Sequence, residues 1–178
     1  DIKETEMIDK IKSVKADGDS IGGIVETAVL GLPAGVGEPW FDSIESIISH
    51  AVFSIPGVKG IEFGLGFNFA DTLGSIANDS FENDNGKIVT KTNNSGGING
   101  GITNGMPVVF RTAFRPTPTL SKSQSTVNIK TAENAVLAAK GRHDPCIVHR
   151  AKVVVDSITA LSLADILVTR YGTDWLGE

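Results

Sequence analysis

Arg142, His143 and Asp144 stand side by side in Gly141-Arg142-His143-Asp144-Pro145-Cys146, just before the last long apolar-periodic run of the chain. A guanidinium, an imidazole and a carboxylate in one place can bind an anion and move a proton. The same residues also suit a plainer purpose. Asp144 followed by Pro145 is a helix start: a short acceptor caps free backbone N–H groups, and proline, with its fixed φ and no N–H to lose, fits the first helical position. The local pattern leaves both readings open.

Two further stretches have the composition of ligand-holding loops. Residues 93–105 carry two glycine pairs, Gly96-Gly97 and Gly100-Gly101, with Gly105 beyond them. Glycine pairs let the backbone approach a ligand and aim successive N–H groups at a phosphate or a flat ring. The stretch lacks the Gly-Lys-Ser/Thr end of a Walker loop and is not a dinucleotide fingerprint after a strand, so a tight structural loop and a cofactor cradle both stand. Arg115-Pro116-Thr117-Pro118-Thr119 sets one cation and two hydroxyls on a proline-stiffened turn. That composition suits a phosphate, or simply a turn. His50 and His149 read as solvated or structural.

The elements that must position these residues show in the periodicity. Residues 4–16 predict an amphipathic helix through Met7, Ile8, Ile11 and Val14, and residues 21–32 a strand that ends at Pro33. Ile44, Ile47, Ile48, Ala51, Val52 and Ile55 mark a helix face that Pro56 closes. Residues 58–66 predict a second strand, 68–81 an irregular segment, and 82–86 an acidic loop whose Asn85-Gly86 turns tightly into 87–92. Residues 107–115 alternate, with Val108, Phe110, Thr112 and Phe114 on one face and Val109, Arg111, Ala113 and Arg115 on the other. A further β-like stretch covers 126–130. The final helix spans about 146–171, with Ile147, Ala151, Val154, Ile158 and Leu161 as its apolar stripe, Val148, Val155 and Ile166 beside it, and Gly172 as its stop.

Composition narrows the function classes. A chain of 178 residues buries one respectable core, which fits one domain or half of a larger one. Sixteen basic against twenty-one acidic residues give a net charge of -5, and no basic run is interleaved with aromatics. No nucleic-acid surface is therefore expected, and partners are expected to be small. The lone cysteine, Cys146, excludes an internal disulfide framework and a thiol-rich zinc site, so no metal is expected and a reducing compartment is. No apolar run approaches the ~20 residues that span a bilayer, and no charged-then-apolar leader opens the chain; a cytoplasmic protein without membrane attachment is expected. The chain opens at Asp1, already inside a helical pattern, and reads as a cut piece.

Three motifs follow in fixed order: Asn-Ser-Gly-Gly-Ile-Asn-Gly-Gly-Ile at 94–102, Arg-Pro-Thr-Pro-Thr at 115–119 and Gly-Arg-His-Asp-Pro-Cys at 141–146. With Gly-Gly-Ile-Val-Glu at 22–26, Gly-Leu-Pro-Ala-Gly-Val-Gly-Glu-Pro at 31–39 and Ser-Ile-Pro-Gly-Val-Lys-Gly-Ile-Glu-Phe-Gly at 54–64, they resemble the C-terminal half of chorismate synthase over nearly the whole chain. The resemblance implies an α+β fold, a β-α-β sandwich half with an antiparallel sheet packed on helices. Residues 1–178 would then be a single C-terminal half-domain, without the N-terminal half and its catalytic histidines. The implied reaction is conversion of 5-enolpyruvylshikimate 3-phosphate to chorismate and phosphate, an anti-1,4-elimination that requires reduced FMN.

Carried onto this sequence, the family's cofactor contacts fall at Pro56, Gly57, Gly100, Arg115, Pro116, Thr117, Pro118, Thr119 and Arg142. Many relatives have Asn-Ala where Pro56-Gly57 stands, and Arg115 replaces a frequent lysine with the charge kept. Asp144 matches the carboxylate proposed to relay a proton from the flavin, and Arg142 lies where flavin and substrate phosphate meet; these two are the catalytic candidates. The resemblance also implies a homotetramer for whole enzymes and the missing N-terminal half as a partner. A non-catalytic half-domain that binds flavin or another anion, or serves only assembly, is the alternative.

Overall fold

The computed structural model describes residues 2–173; Asp1 and residues 174–178, which the single-domain expectation also takes in, lie outside the described residues. In chain order the elements are α1 (Ile2–Ala16), β1 (Gly23–Val29), α2 (Ile44–Val52), β2 (Val58–Phe63), α3 (Gly74–Ala77), β3 (Phe81–Asp84), β4 (Lys87–Thr90), β5 (Ile98–Asn99), β6 (Ile102–Thr103), β7 (Val108–Phe114), β8 (Gln124–Val127), β9 (Asn134–Leu137) and α4 (Val148–Tyr171). The expected acidic loop at 82–86 is mostly strand β3, paired with β4 around Asn85 and Gly86, both at positive φ as a tight hairpin turn requires.

One antiparallel sheet of order β1-β7-β2 carries the fold, and the remaining strands form three separate hairpins. The alternation of β7 does what its sequence predicts: Val108, Phe110, Thr112 and Phe114 are all buried, while the residues between them are half-exposed. In register, Phe110 lies between Thr27 and Phe63, and Thr112 between Val25 and Ile61. On the other face Arg111 stands between Glu26 and Glu62, its Nη2 3.1 Å from Glu62 Oε1.

Helices α2 and α4 pack on each other, and α4 packs on β1. Ser43 caps α2, its hydroxyl accepting the Ser46 N–H at 3.0 Å, and Ile44, Ile48 and Val52 recur at helical spacing as fully buried residues. With Phe110, Val108, Val36 and Val155 they make the centre of the core. Each such side chain stabilises the fold by about 1.5–3 kcal/mol through its burial.

The two outer helices depart from expectation. On α4 the buried positions are Ala151, Val155, Thr159, Ser162, Leu163 and Ile166, whereas Val154 and Leu161 are exposed. The physical reason is that Thr159 and Ser162 donate to the carbonyls of Val155 and Ile158 at 2.7 and 2.9 Å, so two polar side chains enter the core already satisfied. Helix α1 forms as predicted but buries none of its residues; Met7 and Ile8 are exposed.

Candidate functional site

Helix α4 begins at Val148, with Ile147 at its N-cap and no side-chain cap, rather than at Asp144-Pro145. The chain before it is drawn inward: the Pro145 carbonyl accepts the Ile21 N–H at 2.8 Å, and Cys146 is buried. Asp144 therefore stays in the connection, where its carboxylate forms an ion pair with the guanidinium of Arg150 from the first turn of α4. A charge-assisted contact of this kind is stronger than a neutral cap. The half-buried His143 places Nε2 3.1 Å from the Ala139 carbonyl oxygen, and Arg142 is exposed.

Pro56 and Gly57 meet this cluster from the other side. Past the end of α2 the chain turns at Gly57, whose φ is 94°; a Cβ there would lie 3.3 Å from Ile147 Cδ1 and 3.9 Å from Phe114 Cδ1. The Gly57 carbonyl accepts the Arg115 N–H at 2.9 Å. Two clefts result. One, of about 290 Å³, is mainly apolar, with Ile55, Pro56, Phe114 and Ile147 beside Asp144 and Arg150. The other, of about 450 Å³, is lined by Lys15, Arg142, His143, Asp144, Pro145 and Arg150. The fold thus brings Pro56, Gly57, Arg115, Arg142 and Asp144 into one neighbourhood.

The Arg115–Thr119 segment leaves the end of β7 and is gripped by the turn between α1 and β1. Gly22 lies under it so closely that a Cβ would come 2.3 Å from the Phe114 carbonyl oxygen. Ser20 Oγ donates to the Thr117 carbonyl at 2.6 Å, and the Ser121 N–H donates to the Gly18 carbonyl at 3.1 Å. Lys122 closes the grip by bonding Asp17 and, at 2.8 Å, Asp19. These bonds, first to Asp17 and then to Asp19, raise the Lys122 pKa, and the bond from Lys122 followed by the Ser20 N–H lowers that of Asp19. Thr117 Oγ1 is buried with no hydrogen-bond partner among the described residues.

The glycine stretch is chiefly structural. A Cβ at Gly96 would lie 2.6 Å from both Gly64 N and Val109 O, and one at Gly97 2.4 Å from Pro107 O, so backbone packs on backbone there. The start of the stretch is fixed by Asp79, which is buried and accepts from Thr92 Oγ1 at 2.6 Å and from the Asn94 and Ser95 N–H groups at 2.7 Å each. Burial pushes the Asp79 carboxyl up, but the bonds from Thr92, Ser95 and Asn94 outweigh it and hold the pKa below the usual aspartate value.

Gly100 alone among the paired glycines has open space where its Cβ would be. It sits by the start of α2, because the Ile44 N–H donates to the Gly101 carbonyl at 3.0 Å. Pro56 and Gly57 lie beyond the other end of that nine-residue helix, roughly 13 Å away by helical rise. Gly100 is therefore set apart from the Asp144 neighbourhood. Sequence reading missed Arg150, Asp79 and the Asp17–Asp19–Lys122 grip; each is a contact across a chain reversal, for which no periodicity gives a signal.

A family model described as chorismate synthase matches residues 1–168. Chorismate synthase of Thermococcus gammatolerans is 48% identical over 164 residues, covering 92% of this chain and 46% of that protein. That of Chitinophaga pinensis is 52% identical over 158 residues, covering 89% and 47%. A crystal structure of chorismate synthase superposes with a TM-score of 0.77 at 35% identity, covering 96% of this chain and 44% of that one. The chain thus spans about half the length of the curated relatives it matches.

Proposed function

Because the chain belongs to the chorismate synthase family, we propose that it supplies the C-terminal part of a site that converts 5-enolpyruvylshikimate 3-phosphate to chorismate. In that reaction the substrate loses phosphate and one ring hydrogen, with no net oxidation. The observation that carries the reading is Asp144, a carboxylate on the shared wall of an apolar and a cation-lined cleft, with Arg142 beside it.

The residues present fit reduced FMN. Thr117 Oγ1 is a buried hydroxyl without a partner among the described residues, and it lies in the segment that also offers Arg115 and Thr119 to a phosphate. Pro56, Gly57 and Phe114 give an apolar, close-approach surface suited to a flat ring. Gly100 offers open backbone elsewhere, at the start of α2. When bound, reduced FMN supplies electron density that favours departure of phosphate from the neighbouring ring. Arg142 binds an anionic group of substrate or cofactor, for which a guanidinium's fork of donors is suited. Asp144 accepts and passes on a proton at its carboxylate. Ile55, Phe114 and Ile147 make the apolar side beside Asp144, a wall of low polarity that strengthens the interactions of its carboxylate.

The remaining catalytic groups are expected from residues that correspond to the N-terminal half of the relatives, within a cytoplasmic homotetramer. Among the described residues no helix is long and apolar enough to cross a membrane. The test is an anaerobic assay with reduced FMN and 5-enolpyruvylshikimate 3-phosphate, following chorismate by absorbance, with this chain alone and with the N-terminal half of a relative added. Turnover is expected only on complementation. Flavin binding without turnover in the complemented assembly would leave a binding module. Turnover by the chain alone would move the catalytic role onto residues here, His143 first.

A further inference from the structure

Arg150 lies in the first turn of α4, and its guanidinium meets the Asp144 carboxylate across the start of that helix. The two side chains form the common wall of both clefts. We propose that Arg150 is a positioning residue that holds the Asp144 carboxylate aimed at the boundary between the apolar and the cation-lined cleft. The proposal rests on the function proposed above, and deepens it by naming what sets the proton-handling atom.

Three observations carry it. First, the opening N–H groups of a helix lack intrahelical partners and attract a nearby carboxylate, and α4 has no side-chain cap. Asp144, three residues before the N-cap, is nonetheless paired with Arg150. The helix start, set by Pro145 bonding to Ile21, keeps the carboxylate out of the capping role that its sequence context invites, and Arg150 takes it up instead. Second, the Arg150 side chain is 63% exposed and that of Asp144 only 26%. The carboxylate is thus the shielded member of the pair, and the guanidinium is the side that reaches solvent. Third, a guanidinium stays charged at every working pH and presents its donors in a rigid plane, which a lysine does only in part. Lys15, Arg142 and His143 face the same carboxylate from the cation-lined side, and no other cation than Arg150 lines the apolar side among the described residues.

The experiment compares Arg150→Gln and Arg150→Lys with the unsubstituted chain. On this chain, carboxyl-carbon NMR follows the Asp144 side chain through an acid titration, with Asp144→Asn assigning the resonance. The midpoint is expected to move upward in Arg150→Gln and to return most of the way in Arg150→Lys. An unmoved midpoint overturns the proposal. In the complemented assembly, Arg150→Gln is expected to lower kcat about tenfold or more with flavin affinity within about twofold, and Arg150→Lys to recover part of the loss. Full turnover in Arg150→Gln with loss in Asp144→Asn overturns the positioning role while the proposed function stands. Full turnover in Asp144→Asn removes the catalytic role of Asp144 and overturns the positioning proposal with it, whereas absence of turnover in the unsubstituted complemented assembly overturns the proposed function.

Discussion

Asp144 and Arg142 sit next to each other in the chain but face different demands. Asp144 is half-buried and paired, whereas Arg142 is exposed and lines only the cation-rich cleft. Their substitutions should separate accordingly in the complemented assembly. Asp144→Asn keeps the shape and removes the base, so flavin binding should stay nearly unchanged while turnover falls severely. Turnover within about threefold of the parent would reduce Asp144 to a structural group. Arg142→Ala removes a charged partner from an anion and should weaken ligand binding as well as turnover; equilibrium binding of reduced FMN and of substrate checks this, and unchanged affinities remove Arg142 from the site. His143, between them, has the Ala139 carbonyl within hydrogen-bond distance, so like Asp144 it already has a partner.

The segment that leads into hairpin β5–β6 shows how one buried acid fixes a connection. Asp79 gathers Thr92, Asn94 and Ser95, and its lowered pKa fixes the sign of the acid response. The stability it lends is fully present above the ordinary aspartate value, near 3.9, and is lost as the pH falls through the depressed folded value. The Asn94 and Ser95 amide signals should therefore shift in an NMR titration from about pH 5 to about pH 2, before those of the core strands. Amides that move only with global unfolding would deny Asp79 this control. Elements of this protein were legible in proportion to how local their causes are. The face of β7 and the face of α2 follow from period within a few residues. The α4 stripe did not, because Thr159 and Ser162 satisfy their own hydroxyls and enter the core against hydropathy. Of the candidate site, the motif residues 115–119 and 142–144 were visible as types. Arg150 was not, since its meaning depends on where the helix starts, and that is set by Pro145 bonding to Ile21.

On the scale of the whole molecule, much apolar surface faces outward: Trp40 and Phe41 are 84% and 85% exposed, Leu161 67% and Ile24 61%. Patches of this kind on a chain that spans about half of its relatives' length call for a covering surface. The isolated chain is expected to bind an apolar fluorescent dye and to self-associate in sedimentation, and a complementing N-terminal polypeptide should suppress both. A dye-silent monomer would show that these side chains are ordinary surface. The order of the sheet has a further consequence, for the timing of folding. Among the described residues strands β1 and β2 each pair only with β7, so Val25 and Ile61 both wait for Thr112. Made from its N-terminus on the ribosome, the chain can wind its early helices at once, but its central sheet cannot close until Phe114 has emerged. Pairings so distant in sequence form slowly, and strands left waiting are open to wrong partners. Protection of the waiting strands is therefore expected to matter most during the interval in which β7 is still being synthesised.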